Sequence, residues 1–170
     1  LIELRDKGVV KHVGITDLQL ENLRWVIDRV PTGTIDTVLN FCHFCLNDDA
    51  LVDYLDYFEE KGIGVINASP FSMGLLTQRG APDWHPASIP LKELCKKAMQ
   101  YCLGKKYPIE KLAIQYAVSN PRVTTTLFST ARPSAVLKNI EWANEPLDEE
   151  LLGEVKKILQ PMHRDTWLNS

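Results

Sequence analysis

Small and hydroxyl-bearing residues follow a short apolar run within residues 64–77 of this 170-residue chain. The run at 65–66 is typical of a buried strand, and Ser69, Ser72 and Gly74 come where the chain would leave that strand. In parallel α/β folds, ligands bind at the carboxyl ends of the strands, where the following helices present free N–H groups. This stretch therefore predicts a contact to a phosphate or a ring. A plain strand-to-helix turn is the alternative that the same residues allow.

A second polar segment follows residues 124–128, whose β-branched and apolar side chains predict a strand. The chain leaves this strand through Ser129, Thr130 and Arg132, and a helix is predicted to begin at Ser134. Hydroxyl groups, a guanidinium and the free N–H groups of a helix N-terminus all favour an anion. The segment predicts a phosphate cradle, with a capped helix and a solvated arginine as the alternative.

Cys42 and Cys45 form a C-x-x-C motif around His43, which is a pattern found in metal and redox sites. No second C-x-x-C or H-x₃-H pair follows at zinc-finger spacing, and the motif lies in an apolar run. We therefore expect no metal, and we interpret the four cysteines as reduced, buried thiols of a cytosolic protein.

Trp84 and His85 fall in a proline-rich loop predicted at 78–90. Loops of this length inside compact domains are usually functional. Trp84 either lines the mouth of a substrate site or anchors the loop, and the sequence leaves both open. His85 is expected to form hydrogen bonds within the loop.

The elements that carry these residues alternate regularly between strand and helix, which predicts βα units around a parallel sheet. We expect Asp17 to cap the first complete helix, the second strand to be buried on both faces, and Trp167 to be the only anchor of a tail that starts at 162. Strands are predicted at 12–17, 35–44, from 64 and at 124–128, and helices at 18–29, 50–61, 91–103, 108–119, 134–142 and 146–160, after a truncated helix that stops at Gly8.

The composition argues against a nucleic-acid-binding protein and against a membrane-spanning one. A formal charge of −3 and a pI of 5.8 argue against nucleic acid as a partner. No apolar run approaches the roughly 20 residues that cross a bilayer, and nothing in the sequence is typical of a targeting segment, which favours a cytoplasmic protein without a membrane partner. Because the first residue is Leu1, we expect the chain to start inside a longer reading frame.

The motifs at the predicted strand ends resemble the aldo-keto reductase family over essentially the whole chain. They are Gly14-Ile15-Thr16, Ala68-Ser69-Pro70 with the Gly-Leu-Leu-Thr of 74–77, and Asn139. Within that family the chain is most similar to the L-galactose dehydrogenase branch, through the Cys-His-Phe of 42–44 and the unusual Pro-Asp-Trp-His-Pro-Ala-Ser of 82–88.

The resemblance implies an α/β fold, a (β/α)₈ TIM barrel of aldo-keto reductase type, of which residues 1–170 form a single domain, the C-terminal half. It implies an NAD or NADP cofactor across the strand ends, with Thr16 at the carboxamide and Asn139 at the adenine, and a small sugar or carbonyl substrate near Trp84 and His43. The implied cofactor-binding residues are Thr16, Asp17, Ser69, Pro70, Phe71, Ser72, Met73, Gly74, Leu75, Ser129, Thr130, Arg132 and Asn139.

The chain departs from the family at Ala68, where many members have tyrosine. It also departs in the phosphate cradle, at Ser129, Ala135 and Lys138. These differences leave open whether the cofactor is NAD or NADP. The family's catalytic Asp, Tyr, Lys and His belong to the first four strands, so no catalytic residue is expected here. The resemblance implies an oxidoreductase that transfers hydride between NAD(P) and a sugar or an aldehyde/alcohol. The alternative is a catalytically silent half-barrel that binds a nucleotide or a protein partner, and the oligomeric state stays open.

Overall fold

The computed structural model describes residues 1–165 and residue 167. Its strands are β1 (Gly14–Asp17), β2 (Thr37–Phe41), β3 (Gly64–Ala68) and β4 (Thr125–Leu127). Its α-helices are α1 (Ile2–Asp6), α2 (Leu20–Ile27), α3 (Leu55–Glu60), α4 (Ile89–Gly104), α5 (Ile109–Ala117), α6 (Pro133–Ala143) and α7 (Glu149–Leu159), with short 3₁₀ helices at Ala50–Tyr54, Ser72–Gly74 and Gln160–Met162. Each predicted strand and helix is present, although several begin or end elsewhere.

The four strands form one parallel sheet in the order β1-β2-β3-β4. Thr16 pairs with Leu39, Leu39 with Ile66, and Ile66 with Thr125, so these four side chains lie on one face of the sheet. Within the part of the chain that the structure describes, β1 pairs only with β2 and β4 only with β3. Both outer strands therefore present an open edge.

The two faces of the sheet differ in burial. Val38 and Val65, on the face that the helices cover, are 0% and 2% exposed. On the opposite face Leu39 and Ile66 are half-buried, and Leu127 is 46% exposed. The prediction that the second strand is buried on both faces is therefore wrong for the described chain, because no described element covers the second face.

Helices α4, α5 and α7 supply much of the core on the covered side of the sheet. Leu112 of α5 and Leu159 of α7 are completely buried, and so are Ala98 of α4 and Val155 of α7. Apolar residues at helical spacing produce these faces, as the sequence predicted. Among the described helices none is both long and apolar enough to cross a bilayer.

Two predicted boundaries are wrong for local reasons. The second strand ends at Phe41 and not at residue 44, because Cys42 turns the backbone into the left-handed region with φ 63°. Asp17 does not occupy the N-cap of α2, which is Gln19. The Asp17 carboxylate instead accepts bonds from the Gln19 N–H at 2.9 Å and the Asn22 amide at 3.2 Å, and so fixes the turn before the helix.

The C-terminal tail is held by more than Trp167, contrary to prediction. The Arg164 N–H donates to the Asn47 carbonyl, and the Arg164 guanidinium bonds to Asp49 and Asp53. The Trp167 ring lies 4.6 Å from the His85 ring, edge to face. The remaining residues of the predicted tail, 166 and 168–170, lie outside the described residues.

Candidate cofactor-binding site

A cavity of about 900 Å³ opens between the loop after β3 and the start of α6. The two polar segments singled out in the sequence both contribute to its lining. The predicted cofactor residues that line it are Phe71, Met73, Gly74, Ser129, Thr130, Arg132 and Asn139. The tertiary structure therefore brings together seven predicted residues from two strand exits and one helix.

An adjoining cavity of about 460 Å³ lies at the carboxyl ends of β3 and β4. Ser69 and Pro70 line it, together with Phe41, Ala68 and Leu127 of the less buried sheet face. Phe71, Met73, Gly74 and Ser129 border both cavities. The two cavities together reach from the strand ends to the first turns of α6.

The loop after β3 has an unusual backbone. Ser69, Ser72 and Met73 have φ values of 65°, 51° and 54°, a region that non-glycine residues occupy at a cost of about 1–3 kcal/mol each. The Ser69 carbonyl accepts the Ser72 N–H at 2.9 Å, and the Ser69 hydroxyl accepts the Met73 N–H at 3.3 Å. Such strain concentrates at binding sites, where a fixed shape is needed.

These hydrogen bonds change one expectation about the loop. The sequence suggested that its backbone N–H groups would be free to contact a ligand, but those of residues 72–76 all donate within the loop. Ser72 is completely buried, and its hydroxyl accepts a contact from the Cys45 thiol at 3.7 Å. The loop therefore offers a ligand its shape and the side chains of Phe71 and Met73.

The first turn of α6 carries the charge of the larger cavity. Arg132 is the N-cap residue, and its guanidinium makes no hydrogen bond or ion pair with any residue that the structure describes. The backbone N–H of Arg132 donates to the Thr130 hydroxyl at 3.3 Å. Lys138 lies six residues further along and pairs with Glu141 at 3.0 Å. An unpaired guanidinium at a helix N-terminus is a strong binding group for phosphate.

Asn139 presents an unsatisfied amide to the same cavity. The residue is 6% exposed, and its side chain has no hydrogen-bond partner among residues 1–165 and 167. The amide is therefore free to form hydrogen bonds with a ligand in the cavity. A ligand that offers both a donor and an acceptor would satisfy this amide, which indicates a binding role.

Several predicted cofactor residues do not line either cavity. The Thr16 hydroxyl donates to the Leu39 carbonyl at 3.2 Å, and Asp17 holds the turn before α2. Ser72 and Leu75 are buried in the protein interior. The predicted contacts of these four residues with a cofactor stay predictions.

The two predicted substrate residues lie in different surroundings. Trp84 lines the larger cavity with its side chain 68% exposed. His43 is buried, with Nδ1 3.0 Å from the Asp48 carboxylate and Nε2 2.8 Å from the Leu18 carbonyl. Burial lowers the pKa of His43, but the bond to Asp48 and its charge outweigh burial, so the pKa is raised. His43 lines neither cavity.

Glu110, Trp142 and Arg79 also line the larger cavity, and the sequence analysis did not single them out. Trp142 follows Asn139 by three residues, so helical spacing could have placed both on one face of α6. The Glu110 carboxylate accepts the Gln78 N–H at 2.7 Å and thereby fixes the loop after β3 to α5. No local pattern signalled this long-range contact.

The four cysteines are free and buried, as predicted. Burial raises the pKa of Cys42 to about 12 and that of Cys102 to about 11, so both remain protonated thiols. Within residues 1–165 and 167, no group of three or more His, Cys, Asp or Glu side chains could hold a metal ion. His85 forms the predicted hydrogen bond within the loop, where its Nδ1 accepts the Ala87 N–H at 3.0 Å, and its Nε2 lies 3.1 Å from the Ser72 carbonyl outside the loop.

The five tyrosines all fall within the described residues, and neither cavity is lined by one. Burial and a 2.7 Å bond to Asp28 raise the pKa of Tyr57 to about 12. Burial also raises the pKa of Tyr116. That the chain carries no catalytic residue stays a prediction.

Comparison with known proteins decides the family. The model of the Aldo/keto reductase family matches residues 1–160. The chain belongs to the aldo-keto reductase family. It is 43% identical to the L-galactose dehydrogenase of Arabidopsis thaliana over 171 residues, which cover 98% of the chain and 54% of that protein. It is 31% identical to the D-arabinose 1-dehydrogenase of Saccharomyces cerevisiae over 123 residues, which cover 68% of the chain and 37% of that protein.

Solved structures of aldo-keto reductase type share the fold. The holo form of an aldo-keto reductase from Bacillus halodurans superimposes with a TM-score of 0.71 at 20% identity, over 97% of this chain and 54% of that one. A glycerol dehydrogenase from Gluconobacter oxydans gives a TM-score of 0.66 at 16% identity. The chain spans about half the length of these relatives. The predicted fold, a partial TIM barrel of aldo-keto reductase type, is confirmed.

Proposed function

We propose that this chain is the cofactor-binding half of an NAD(P)-dependent oxidoreductase. The complete protein would transfer hydride between a nicotinamide cofactor and a sugar or an aldehyde/alcohol. The observation that carries the proposal is the juxtaposition of Arg132, free of any described partner, with Asn139, a buried amide that also lacks one, in a single cavity. Family membership makes a dinucleotide the ligand expected there.

The residues present fit one end of such a cofactor better than the other. Arg132, Thr130 and Ser129 would hold a phosphate, because they combine a positive charge, hydroxyl groups and a helix N-terminus. Asn139 would accept from and donate to the adenine edge. Ser69, Phe71 and Met73 would enclose the central part of the cofactor between the two cavities. When bound, the nicotinamide supplies or accepts a hydride.

A sugar is the substrate class that the relatives favour. Two relatives of the chain, L-galactose dehydrogenase and D-arabinose 1-dehydrogenase, are named after sugars. The proton donor for the carbonyl oxygen would come from strands that this chain does not contain. The open edges of β1 and β4 and the half-covered sheet face are where such strands would pack.

A cytosolic location stays a prediction.

The first test is a titration of the folded chain with NAD⁺ and NADP⁺, followed by quenching of its tryptophan fluorescence. Saturable binding is expected, and Asn139→Ala should weaken it about tenfold, because the ligand loses its hydrogen bonds to the Asn139 amide. The control is Asn120→Ala, since Asn120 lies in the turn before β4, where its side chain accepts the Arg122 N–H, and lines neither cavity. Absence of binding to a demonstrably folded chain would contradict the proposal that this half binds the cofactor by itself.

The second test concerns the reaction. A chimera would join the first part of the Arabidopsis L-galactose dehydrogenase, up to the aligned region, to residues 1–170 of this chain. Formation of NADH or NADPH in the presence of L-galactose or D-arabinose is the expected result. A folded chimera that binds cofactor and oxidises neither sugar would favour the catalytically silent alternative.

A further inference from the structure

Two tryptophans from different parts of the chain line the larger cavity. Trp84 lies in the loop after β3, and Trp142 lies on α6, one turn after Asn139. Trp84 is 68% exposed, although burying an indole is normally favourable. Trp142 is half-buried. A large exposed ring at the edge of a cavity is a feature that a ligand could cover.

Trp84 is held by a rigid neighbour. Its ring stacks on the His85 ring, with centroids 6.2 Å apart and an interplanar angle of 18°. The His85 ring is itself fixed, because Nε2 lies 3.1 Å from the Ser72 carbonyl and Nδ1 accepts the Ala87 N–H at 3.0 Å. Trp167 packs against His85 edge to face. A fixed ring loses little conformational entropy when a ligand stacks on it.

Trp142 lies on the same wall of the cavity as the unsatisfied amide. Residues three apart on a helix are neighbours, so the indole of Trp142 and the amide of Asn139 face the cavity together. The Lys138 Nζ lies 5.5 Å from the centre of the Trp142 ring. The same ammonium group forms an ion pair with Glu141, and these two contacts fix the position of the Lys138 side chain beside the indole. Arg132 is at the other end of the same wall.

We infer that Trp84 and Trp142 are the aromatic walls of a slot for the adenine ring, within which Asn139 hydrogen-bonds the edge of the base. The inference rests on the proposed function and adds two binding residues to it. Purine rings stack on aromatic side chains, and an asparagine amide matches the donor and acceptor of adenine N6 and N7. Trp84 then belongs to the cofactor side of the active site and not to the substrate mouth.

The test uses three probes, namely ADP-ribose, AMP and ribose 5-phosphate, the last of which has the phosphate and sugar without the base. Trp84→Ala and Trp142→Ala should each raise the Kd for ADP-ribose and AMP about tenfold. The Kd for ribose 5-phosphate should change less than about twofold, because that probe has no ring to stack. Trp84→Phe should restore much of the affinity, since a smaller aromatic face remains.

Trp25→Ala is the matched control. Trp25 is 57% exposed on α2, its ring lies 4.0 Å from the Arg29 guanidinium, and it lines neither cavity. Circular dichroism and the unfolding midpoint of each variant report on folding. Calorimetry replaces fluorescence here, because the variants remove fluorophores.

The outcomes separate the inference from the proposed function. If wild type binds ADP-ribose and the Trp84→Ala and Trp142→Ala variants bind it equally well, the aromatic slot is wrong and the cofactor proposal stands. If the variants lose affinity for ribose 5-phosphate to the same extent, the tryptophans act on the shape of the cavity, which also overturns the inference. If folded wild type binds none of the three probes, both proposals fail.

Discussion

His43 and Asp48 form a buried pair that joins the loops after two neighbouring strands. The Asp48 carboxylate lies 3.0 Å from His43 Nδ1, and the other ring nitrogen lies 2.8 Å from the carbonyl of Leu18, which directly follows β1. Because a carbonyl can only accept, Nε2 carries a proton. The pair therefore favours a doubly protonated imidazole, which agrees with the raised pKa of His43.

This pair predicts a loss of stability as the pH rises. A group whose native pKa is raised contributes its full stabilisation below its unfolded pKa of about 6.5, and that stabilisation is lost as the pH passes through the native value. The difference in unfolding free energy between wild type and His43→Gln should therefore shrink from about pH 6 upward. Urea unfolding at a series of pH values measures it.

The control for this prediction is His12→Gln, because the His12 side chain is 76% exposed. That surface substitution should change the free energy of unfolding by no more than about 0.5 kcal/mol. A His43→Gln variant whose stability runs parallel to wild type throughout would show that the proton on His43 does not stabilise the fold.

Arg132→Ala should weaken the binding of ADP-ribose about tenfold, because a charge-assisted hydrogen bond to phosphate is lost. The wild-type advantage should decrease when the ionic strength is raised from about 0.1 M to about 1 M, which shortens the Debye length from about 10 Å to about 3 Å. Isothermal titration calorimetry gives both values. Arg122→Ala, which removes a surface partner of Asp56, should leave the affinity unchanged. Equal losses in the two variants would argue for a general charge effect.

Gly14→Ala should destabilise the sheet by about 1–3 kcal/mol. A Cβ at Gly14 would lie 2.4 Å from the Thr37 hydroxyl oxygen on the neighbouring strand. The same threonine pairs with Gly64 on its other side, where a new Cβ would meet only ordinary contacts at 3.5 Å or more. Gly64→Ala is therefore the control and should cost much less. Adding Thr37→Ala to Gly14→Ala should recover stability, and failure to recover it would exclude this contact as the cause.

Asp49→Asn should loosen the C-terminal segment. The Asp49 carboxylate accepts bonds from His163 and Arg164, each at 2.8 Å. Burial raises the pKa of Asp49, but the bonds to Arg164 and His163 outweigh it and lower the pKa overall. A group whose native pKa is lowered stabilises the fold at pH values above its unfolded pKa of about 3.9. This stabilisation is lost as the pH falls through the native pKa.

We expect a cost of about 1 kcal/mol near neutral pH for Asp49→Asn, because Arg164 is partly exposed. The difference from wild type should diminish towards acidic pH. Unfolding midpoints between about pH 3 and pH 7 test this expectation. Asp83→Asn, an exposed carboxylate of the loop after β3, is the control. An equal effect of the two substitutions would contradict a specific role for Asp49.

The sequence by itself determined the order and type of the elements and the two polar strand exits. Alternating and helical apolar spacing is a local property, so the four strands and the helices after them could be predicted without tertiary contacts. Residues that follow parallel strands meet at one edge of the sheet, which agrees with the position of Phe71, Ser129 and Arg132 around one cavity.

Only the tertiary structure decided which side chains of those exits face the cavity. Left-handed residues at Cys42, Ser69 and Met73 turn the chain in directions that no periodic pattern encodes, and they send Ser72 inward. Contacts between distant segments, such as Glu110 with Gln78, and the shared cavity of Trp84 and Trp142 depend on how helices pack on the sheet. Such long-range packing is set by the whole core and not by the neighbours of a residue in the chain, so the sequence located the strand exits while the fold selected the binding side chains.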